Sequence, residues 1–397
     1  MIAKKMTGFV ENNSAIREMF EEGKRLAKEF GAENVYDFSL GNPNVPAPKA
    51  VNDAIKDIID NEETTFVHGY MSNAGYEDVR EDIAASLNRR FEENYSKDNI
   101  IMTVGAAGGL NVVFRALLDP GDEVVAFAPY FLEYRAYVSN YDGVLVEVSP
   151  NKPEFMPNLK EFEEKLTPRT KCVLINNPNN PTGVVYPESV IKDMISVIEK
   201  KSREYGTDIY LISDEPYREL AYEGVKVPYL PHYYANTIVG YSFSKSLSLP
   251  GERIGYLTIP GSMKDFETVV SALTIANRIL GYVNAPSLMQ RAVARAIDSK
   301  TDVGYYDRNR RLLRDTLRDI GFEFTEPYGA FYLFVKSPME DEKQFCSLAK
   351  EENIIIVPGS SFACPGYVRL AYCVSYETIE SSIPAWKRLM DKIKEGA

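Results

Sequence analysis

Lys245 lies in the stretch of this sequence that points most directly to chemistry. The stretch runs from Ser242 to Arg253: a predicted strand ends in small hydroxyl residues, the lysine follows, and a loop with a glycine and an arginine comes next. A single lysine after a strand is most often a solvated surface residue. A lysine near a serine and an arginine that hold an anion can instead form a Schiff base with a carbonyl compound.

Three other turns carry polar or glycine-rich patterns after predicted strands. Asp214 and Tyr217 stand three residues apart, which is a weak pattern because an aspartate at a strand end is most often a cap or a turn residue. Residues 178–183 read Pro-Asn-Asn-Pro-Thr-Gly and predict a turn. Residues 104–109 follow a strand and open a helix, whose free N–H groups can bind a phosphate, although packing explains a Gly/Ala turn equally well.

The composition excludes several classes of site and partner. The chain has 397 residues, with 45 Lys plus Arg, 57 Asp plus Glu and a net charge of −12, so binding to nucleic acid is not expected. Two histidines, His68 and His232, are too few for a three-histidine zinc site. We predict no metal, and any general base is expected to be Lys, Asp, Glu or Tyr.

The cysteine content and the hydropathy bear on location. The four cysteines form no C-x-x-C pair and are too few for a disulfide scaffold, which indicates a reducing compartment. No apolar segment follows the lysines near the N-terminus, and no run of 18 apolar residues predicts a membrane span. We therefore expect a cytoplasmic protein without a membrane partner.

The order of predicted elements indicates an α/β protein. Short apolar runs alternate with helical stretches and predict a largely parallel sheet. The runs lie at 100–104, 123–128, 144–148, 171–175, 208–212, 237–242 and 254–259, and the clearest helix lies at 187–205. After about residue 280 the pattern is that of a smaller α+β unit, with which a helix over 14–30, capped by Ser14, is expected to pack. A proline-rich stretch, 41–48, is either a linker or a rigid loop lining a site.

Residues 242–255 resemble the lysine-attachment signature of the class I and II aminotransferases, which are fold type I pyridoxal-phosphate enzymes, at every constrained position. The resemblance extends from about Asp37 to Leu389 and includes the other patterns in the expected order. It implies a large domain, residues 46–285, with a mostly parallel seven-stranded sheet flanked by helices. It also implies a smaller α+β domain, residues 286–397, to which residues 1–45 add the N-terminal helix and an active-site loop.

The resemblance implies pyridoxal 5′-phosphate as the cofactor and gives the matching residues their roles. Lys245 is expected to hold the cofactor, Asp214 to pair with its ring nitrogen, and Tyr217 with Asn180 to bind its phenolic oxygen. The remaining expected contacts are Gly105, Ala106, Ala107, Ser242 and Arg253 at the phosphate, Phe131 on the ring face, and Tyr70 at the phosphate of a neighbouring subunit. The role of Tyr70 implies a homodimer with shared active sites.

The implied reaction is transamination. Arg369, in a strand after the Gly-Ala-Phe-Tyr pattern at 329–332, is expected to grip the substrate α-carboxylate, with Gly41 donating from its backbone and Asn180 beside them. The amine of Lys245 is the expected general base at Cα. The amino group of an L-amino acid would pass to a 2-oxo acid by a ping-pong mechanism through pyridoxamine phosphate.

The amino donor and the bond that is broken stay open. One aspartate-using branch of the family has a lysine at the position of Ala107, where an alanine cannot hold a second carboxylate. Another branch has an arginine near Arg278, but the match is off by one residue and solvation on a helix surface explains Arg278 better. Aspartate is therefore an open donor but not the favoured one. A cysteine–sulfur lyase is the alternative enzyme, because pyridoxal phosphate stabilises any carbanion at Cα. A regulatory sensor with an aminotransferase-like domain is the alternative of another class, against which the short acidic helix before residue 37 argues.

Overall fold

The computed structural model describes residues 2–11 and 15–396. These residues form fifteen helices: α1 (Lys4–Glu11), α2 (Ala15–Phe30), α3 (Lys49–Asn61), α4 (Thr64–Val67), α5 (Glu77–Phe91), α6 (Gly105–Leu117), α7 (Glu133–Ser139), α8 (Leu159–Lys165), α9 (Glu188–Tyr205), α10 (Phe243–Ser246), α11 (Phe266–Ile279), α12 (Ser287–Arg295), α13 (Val303–Ile320), α14 (Glu342–Glu351) and α15 (Tyr376–Gly396).

They also form thirteen strands: β1 (Tyr36–Asp37), β2 (Ile100–Thr103), β3 (Glu123–Phe127), β4 (Val144–Val148), β5 (Thr170–Asn176), β6 (Tyr210–Asp214), β7 (Thr237–Ser242), β8 (Gly255–Thr258), β9 (Phe324–Thr325), β10 (Tyr332–Lys336), β11 (Ile354–Ile355), β12 (Val357–Pro358) and β13 (Tyr367–Ala371). Each of the seven apolar runs expected before residue 260 is a strand, with bounds close to those predicted.

Helix ends follow local signals in the sequence. Helix α9 starts after Pro187 and ends at Gly206, which adopts a left-handed conformation with φ of 66°. Glycine has no Cβ and enters this conformation without strain, so it terminates the helix. The helix expected over 14–30 is α2, which begins at Ala15, and the cap predicted at Ser14 lies outside the described residues.

Seven strands form one large sheet in the order β2-β8-β7-β6-β5-β3-β4. Strands β4, β3, β5, β6 and β7 pair in parallel, and β8 is antiparallel to both β7 and β2. The prediction of a mostly parallel sheet of seven strands is confirmed. Since β2, β3, β5, β6 and β7 run the same way, their carboxyl ends and the start of β8 meet at one edge, where α/β proteins bind ligands.

Both faces of this sheet are buried. Val124 packs in one apolar cluster with Phe114 and Leu273, while its neighbour Val125 packs in another with Ile191. Successive strand residues point to opposite faces, so helices must cover the sheet on both sides. This explains why the strands read as continuous apolar runs rather than as an alternation.

The C-terminal part of the chain forms a smaller α+β unit. Strands β12, β13, β10 and β9 make an antiparallel sheet, and its core includes Trp386 of α15 and Phe331. The N-terminal segment joins this unit because β1 pairs in parallel with β11 and because Leu26 and Val35 pack on Ile355.

Two further features concern membranes and metals. In the part of the chain that the structure describes, no helix has the length and apolarity that a membrane crossing requires. Within the same residues, no group of three or more His, Cys, Asp or Glu side chains is arranged to bind a metal ion.

Candidate active site

A cavity of about 270 Å³ opens at the carboxyl edge of the large sheet. Most of the residues predicted for the site line it: Gly41, Ala106, Ala107, Phe131, Asn180, Asp214, Tyr217, Ser242, Lys245, Arg253 and Arg369. Gly105 lies directly beside Arg253 at its margin. Tyr70 does not line it and has a side chain that is 93% exposed. The fold therefore brings together residues that are far apart in the chain.

Lys245 lies in the short helix α10, directly after β7. Its Nζ donates a hydrogen bond to the carbonyl oxygen of Gly41 at 2.6 Å. Burial, together with the charges of Arg369 and Arg253, lowers the pKa of the Lys245 amine from 10.5 to about 8. A low dielectric disfavours the ammonium form, so the neutral, nucleophilic amine is far more populated near neutral pH than in a solvated lysine.

Asp214 is the last residue of β6 and is buried. Its Oδ2 accepts a hydrogen bond from the hydroxyl of Tyr134 at 2.5 Å, whereas its Oδ1 has no partner among the described residues. Burial raises the pKa of Asp214 to about 7, although the Tyr134 hydrogen bond opposes this shift. A buried carboxylate oxygen without a partner is costly, so this atom is available to a cationic N–H group of a bound molecule.

Arg369 of β13 is only 2% exposed. Its guanidinium donates to Asn180 Oδ1 at 3.1 Å and to the Ser39 carbonyl at 2.5 Å, and it lies over the ring of Tyr332, 4.4 Å from the centroid. Its Nε has no partner, and within the described residues no carboxylate pairs with the charge. A buried cation with only neutral partners can bind the carboxylate of a ligand.

The other side of the cavity has the geometry of a phosphate site. Ala106 and Ala107 lie in the first turn of α6, where backbone N–H groups have no partner within the helix. The φ of Gly105 is 76°, and a Cβ there would lie 2.9 Å from the guanidinium of Arg253. Glycine at this position therefore lets the arginine approach the helix terminus closely. The hydroxyl of Ser242 lines the same cavity.

Aromatic residues and Asn180 complete the lining. The Tyr217 and Tyr332 hydroxyls lie 2.9 Å apart, and burial raises the pKa of Tyr217 well above its usual value. The backbone N–H of Asn180 donates to the Asn176 side chain at 2.7 Å, which ties the turn after β5 to the strand end. Phe131 lines the cavity, with its ring 5.7 Å from that of Tyr134.

The proline-rich stretch is a loop that lines the site. Gly41 within it lies so close to Tyr332 that a Cβ would be 2.0 Å from the tyrosine oxygen. Any larger residue would displace Tyr332 and, through it, Tyr217. The structure also gives Gly41 a contact that the sequence did not predict, since its carbonyl accepts from Lys245.

Several residues of the site were missed in the sequence analysis. They are Ser39, Tyr134, Tyr137, Asn176 and Tyr332, all of which line the cavity or bond to residues that do. A usable signal existed for two of them. Tyr134 follows Phe131 by three residues, one helical turn, and Asn176 ends a predicted strand. Ser39 acts through its backbone carbonyl, for which side-chain type gives no signal.

The chain is similar over nearly its whole length to known proteins. The family model of aminotransferase class I and II matches residues 33–384. An aspartate aminotransferase of Thermotoga maritima is 33% identical over 93% of this chain and 94% of its own, and an aspartate/prephenate aminotransferase of Thermus thermophilus is 32% identical over 89% and 90%.

Solved structures agree with this similarity. An aminotransferase from Eubacterium rectale superposes with a TM-score of 0.96 at 45% identity, covering 99% of both chains. The aspartate aminotransferase of Thermotoga maritima superposes with a TM-score of 0.87 at 29% identity, covering 98% of this chain and 100% of the other.

Proposed function

We propose that the cavity binds pyridoxal 5′-phosphate and that Lys245 holds this cofactor and acts as the general base. The chain belongs to the class I and II aminotransferases and is a transaminase. The amino group of an L-amino acid passes to a 2-oxo acid in a ping-pong reaction. The single observation that carries the proposal is a pair of buried atoms without partners in the cavity that Lys245 also lines: Asp214 Oδ1 and Arg369 Nε. The lyase and regulatory alternatives have no support from the relatives.

The residues present fit the cofactor. When bound, pyridoxal phosphate supplies a carbonyl carbon for an amine and a protonated ring that withdraws electrons from the substrate Cα. Asp214 Oδ1 would pair with the ring nitrogen, and its negative charge would keep that nitrogen protonated. Arg253, Ser242 and the amides at 105–107 would hold the phosphate. Phe131 would cover one face of the ring, and Tyr217 with Asn180 would donate to the phenolic oxygen.

The chain's own groups then orient the substrate and move its proton. Arg369 binds the α-carboxylate through its fork, and its two neutral partners, Asn180 and the Ser39 carbonyl, hold the guanidinium plane in position. Lys245, whose pKa is lowered to about 8, has a substantial neutral fraction near that pH, and this neutral amine would take the proton from Cα and later release it.

The absorption spectrum tests the proposal. Purified protein with pyridoxal phosphate added is expected to show a visible band from cofactor held by Lys245, and an amino donor is expected to bleach it without an acceptor. Conversion of one amino acid to a 2-oxo acid and free ammonia, with no acceptor needed, would instead favour the lyase. Absence of any band would contradict the assignment of Lys245.

Tyr134 is expected to keep Asp214 ionised. The variant Tyr134→Phe leaves Asp214 Oδ2 buried without a partner and raises the carboxyl pKa further, so cofactor binding at pH 7 should weaken about tenfold. Because a higher pH ionises Asp214 again, much of this loss should disappear at pH 9. Cofactor titration by fluorescence at both pH values measures it. Tyr141→Phe, which removes a hydroxyl bonded to Asn111, is the matched control, and a pH-independent loss would contradict the role.

The homodimer is also a proposal. Phe66 lies in α4 and Tyr70 follows shortly after it. Tyr70 is 93% exposed and Phe66 is 49% exposed. Large aromatic residues so exposed are typical of an interface, which would carry the Tyr70 hydroxyl to the phosphate of the adjacent subunit. The cytoplasmic location expected from the sequence stays a prediction.

Mixed dimers test the role of Tyr70. Tyr70→Phe is expected to raise the cofactor dissociation constant about tenfold, since a charged hydrogen bond is lost. When Tyr70→Phe subunits are re-assorted with Lys245→Ala subunits, about a quarter of all sites should regain native affinity, because each hybrid dimer has one intact site. No recovery would mean that Tyr70 acts within its own subunit, and a fully active monomer would exclude the shared site. Tyr328→Phe is the control.

We also propose where the boundary between the two domains lies. Met289 and Val293 of α12 pack with Val51 of α3 and Ile83 of α5, in the layer that covers the large sheet. This packing favours a large domain that continues through α12 to about residue 300, rather than to 285 as the sequence indicated. The small domain would then comprise α13 to α15, the antiparallel sheet and the segment before residue 46.

A further inference from the structure

We infer that Tyr332 is a positioning residue of the site: its hydroxyl donates to Tyr217 and thereby strengthens the hydrogen bond that Tyr217 donates to the cofactor. The inference rests on the proposed function, because it takes the phenolic oxygen of pyridoxal phosphate as the acceptor of Tyr217. Tyr332 would act on the cofactor through its neighbour and not by direct contact.

The two tyrosines form an isolated pair of hydroxyl groups. Their oxygens lie 2.9 Å apart, and both residues are buried, with 5% of Tyr217 and 2% of Tyr332 exposed. Among the residues that the structure describes, neither hydroxyl has a second hydrogen-bond partner. Both side chains line the cavity. A further hydrogen bond from the pair would therefore go to a molecule bound there.

The number of protons fixes the direction of the bond within the pair. Burial raises the pKa of Tyr332 to about 12 and the pKa of Tyr217 well above its usual value, so both hydroxyls keep their proton near neutral pH. A tyrosine hydroxyl has one proton and can donate one hydrogen bond. If Tyr217 donates to the phenolic oxygen of the cofactor, only the proton of Tyr332 is left for the bond between the two tyrosines. Tyr332 is then the donor.

Three contacts hold the Tyr332 hydroxyl where this donation requires it. Tyr332 begins β10, whose pairing with β13 fixes its backbone. The guanidinium of Arg369 lies over its ring, 4.4 Å from the centroid. Gly41 lies so close that a Cβ there would be 2.0 Å from the hydroxyl oxygen. A buried aromatic side chain confined in this way keeps one rotamer, so its hydroxyl stays beside Tyr217.

Two donors in series have a measurable effect on the cofactor. A hydroxyl that accepts a hydrogen bond becomes a stronger donor, because each bond polarises the next. Tyr217 therefore withdraws more negative charge from the phenolic oxygen when Tyr332 donates to it. An oxygen with less negative charge attracts the proton on the nitrogen of cofactor-bound Lys245 less strongly. Loss of the Tyr332 hydroxyl should raise the pH at which this proton leaves and the visible band changes.

A pH titration of the visible band tests this order of action. It uses the cofactor-loaded enzyme without an amino donor, so that turnover does not enter the readout. We expect Tyr332→Phe to raise the midpoint by about 0.5 pH unit and Tyr217→Phe to raise it by about 1 pH unit or more. The double variant should match Tyr217→Phe, because Tyr332 has no route to the cofactor once the Tyr217 hydroxyl is gone.

Tyr222→Phe is the matched control. It also removes a buried hydroxyl, which donates to the Ala330 carbonyl at 2.5 Å, but Tyr222 does not line the cavity. It should leave the midpoint unchanged. Cofactor affinity gives a second readout. Fluorescence titration should show a dissociation constant raised about threefold by Tyr332→Phe, with no further increase when this change is added to Tyr217→Phe.

Each other outcome has a separate meaning. An unchanged midpoint in Tyr332→Phe, or an equal shift with and without the Tyr217 hydroxyl, would overturn the inference and leave the proposed function standing. An equal shift in Tyr222→Phe would also overturn it, because loosened packing would then be the cause. An unchanged midpoint in Tyr217→Phe would overturn the contact with the phenolic oxygen, and the inference with it. Absence of any band would overturn the proposed function itself.

Discussion

Replacing Lys245 by alanine is expected to lower the rate of amino transfer by at least about 10⁴-fold, because one side chain both holds the cofactor and moves the proton at Cα. No other lysine lines the cavity in the described part of the chain, so no neighbouring amine can substitute. Steady-state assays with the best donor measure the loss. The visible band that depends on the Lys245 amine should disappear even when the cofactor still binds.

Two further variants separate the functions of this residue. Lys245→Arg keeps a cation near the Gly41 carbonyl. A guanidinium does not lose its proton near neutral pH, so it can act neither as a base nor as a nucleophile. The activity of this variant should therefore be as low as that of the alanine variant. Lys264→Ala removes an exposed lysine that pairs with Asp208 and should leave the rate unchanged. Addition of a small primary amine should restore part of the Lys245→Ala rate, since it supplies a mobile base. Turnover of Lys245→Ala near the wild-type rate would refute the assignment.

Replacing Asp214 by asparagine is expected to lower activity on the order of 10³-fold, since a neutral amide cannot keep the cofactor ring protonated. The same change should stabilise the protein without cofactor. Burial raises the pKa of Asp214 from 3.8 to about 7, so ionisation of this carboxyl group favours the unfolded chain. A buried group that serves function at the expense of stability is common in active sites.

The pH dependence identifies the origin of this stabilisation. Below about pH 4 the carboxyl group is protonated in both states and carries no penalty, and above about pH 7 it is ionised in both and the folded state carries the full penalty. Asp214→Asn should therefore raise the free energy of unfolding of the apoprotein by up to about 4 kcal/mol at pH 8 and hardly at all at pH 4.

Chemical denaturation at the two pH values measures the difference. The exposed Asp193 on α9 provides the control, and Asp193→Asn should have little effect at either pH. An equal change at both pH values would show that Asp214→Asn acts through packing and not through ionisation. Activity close to that of the wild type would contradict the pairing of Asp214 with the ring.

The strands and the turns of the site could be predicted from the sequence because their causes are local. A buried strand is an apolar run whatever lies beside it, and a Pro-Asn-Asn-Pro-Thr-Gly turn or a glycine at a helix end is set by the conformations its own residues allow. The carboxyl-edge position of Asp214, Asn180 and Lys245 follows as well, because each lies at the end of a parallel strand of one sheet or within four residues of it.

The contacts that set the properties of those residues were decided by the tertiary structure alone. Lys245 meets the Gly41 carbonyl, and Arg369 meets that of Ser39, across 204 and 330 residues of chain. Burial sets the two pKa values, and it depends on the packing of the whole domain rather than on neighbours in sequence. A backbone carbonyl, moreover, is present at every residue, so its role cannot be read from residue type. The sequence by itself determined which groups could react, and the fold determined which of them are desolvated, paired or left free to bind.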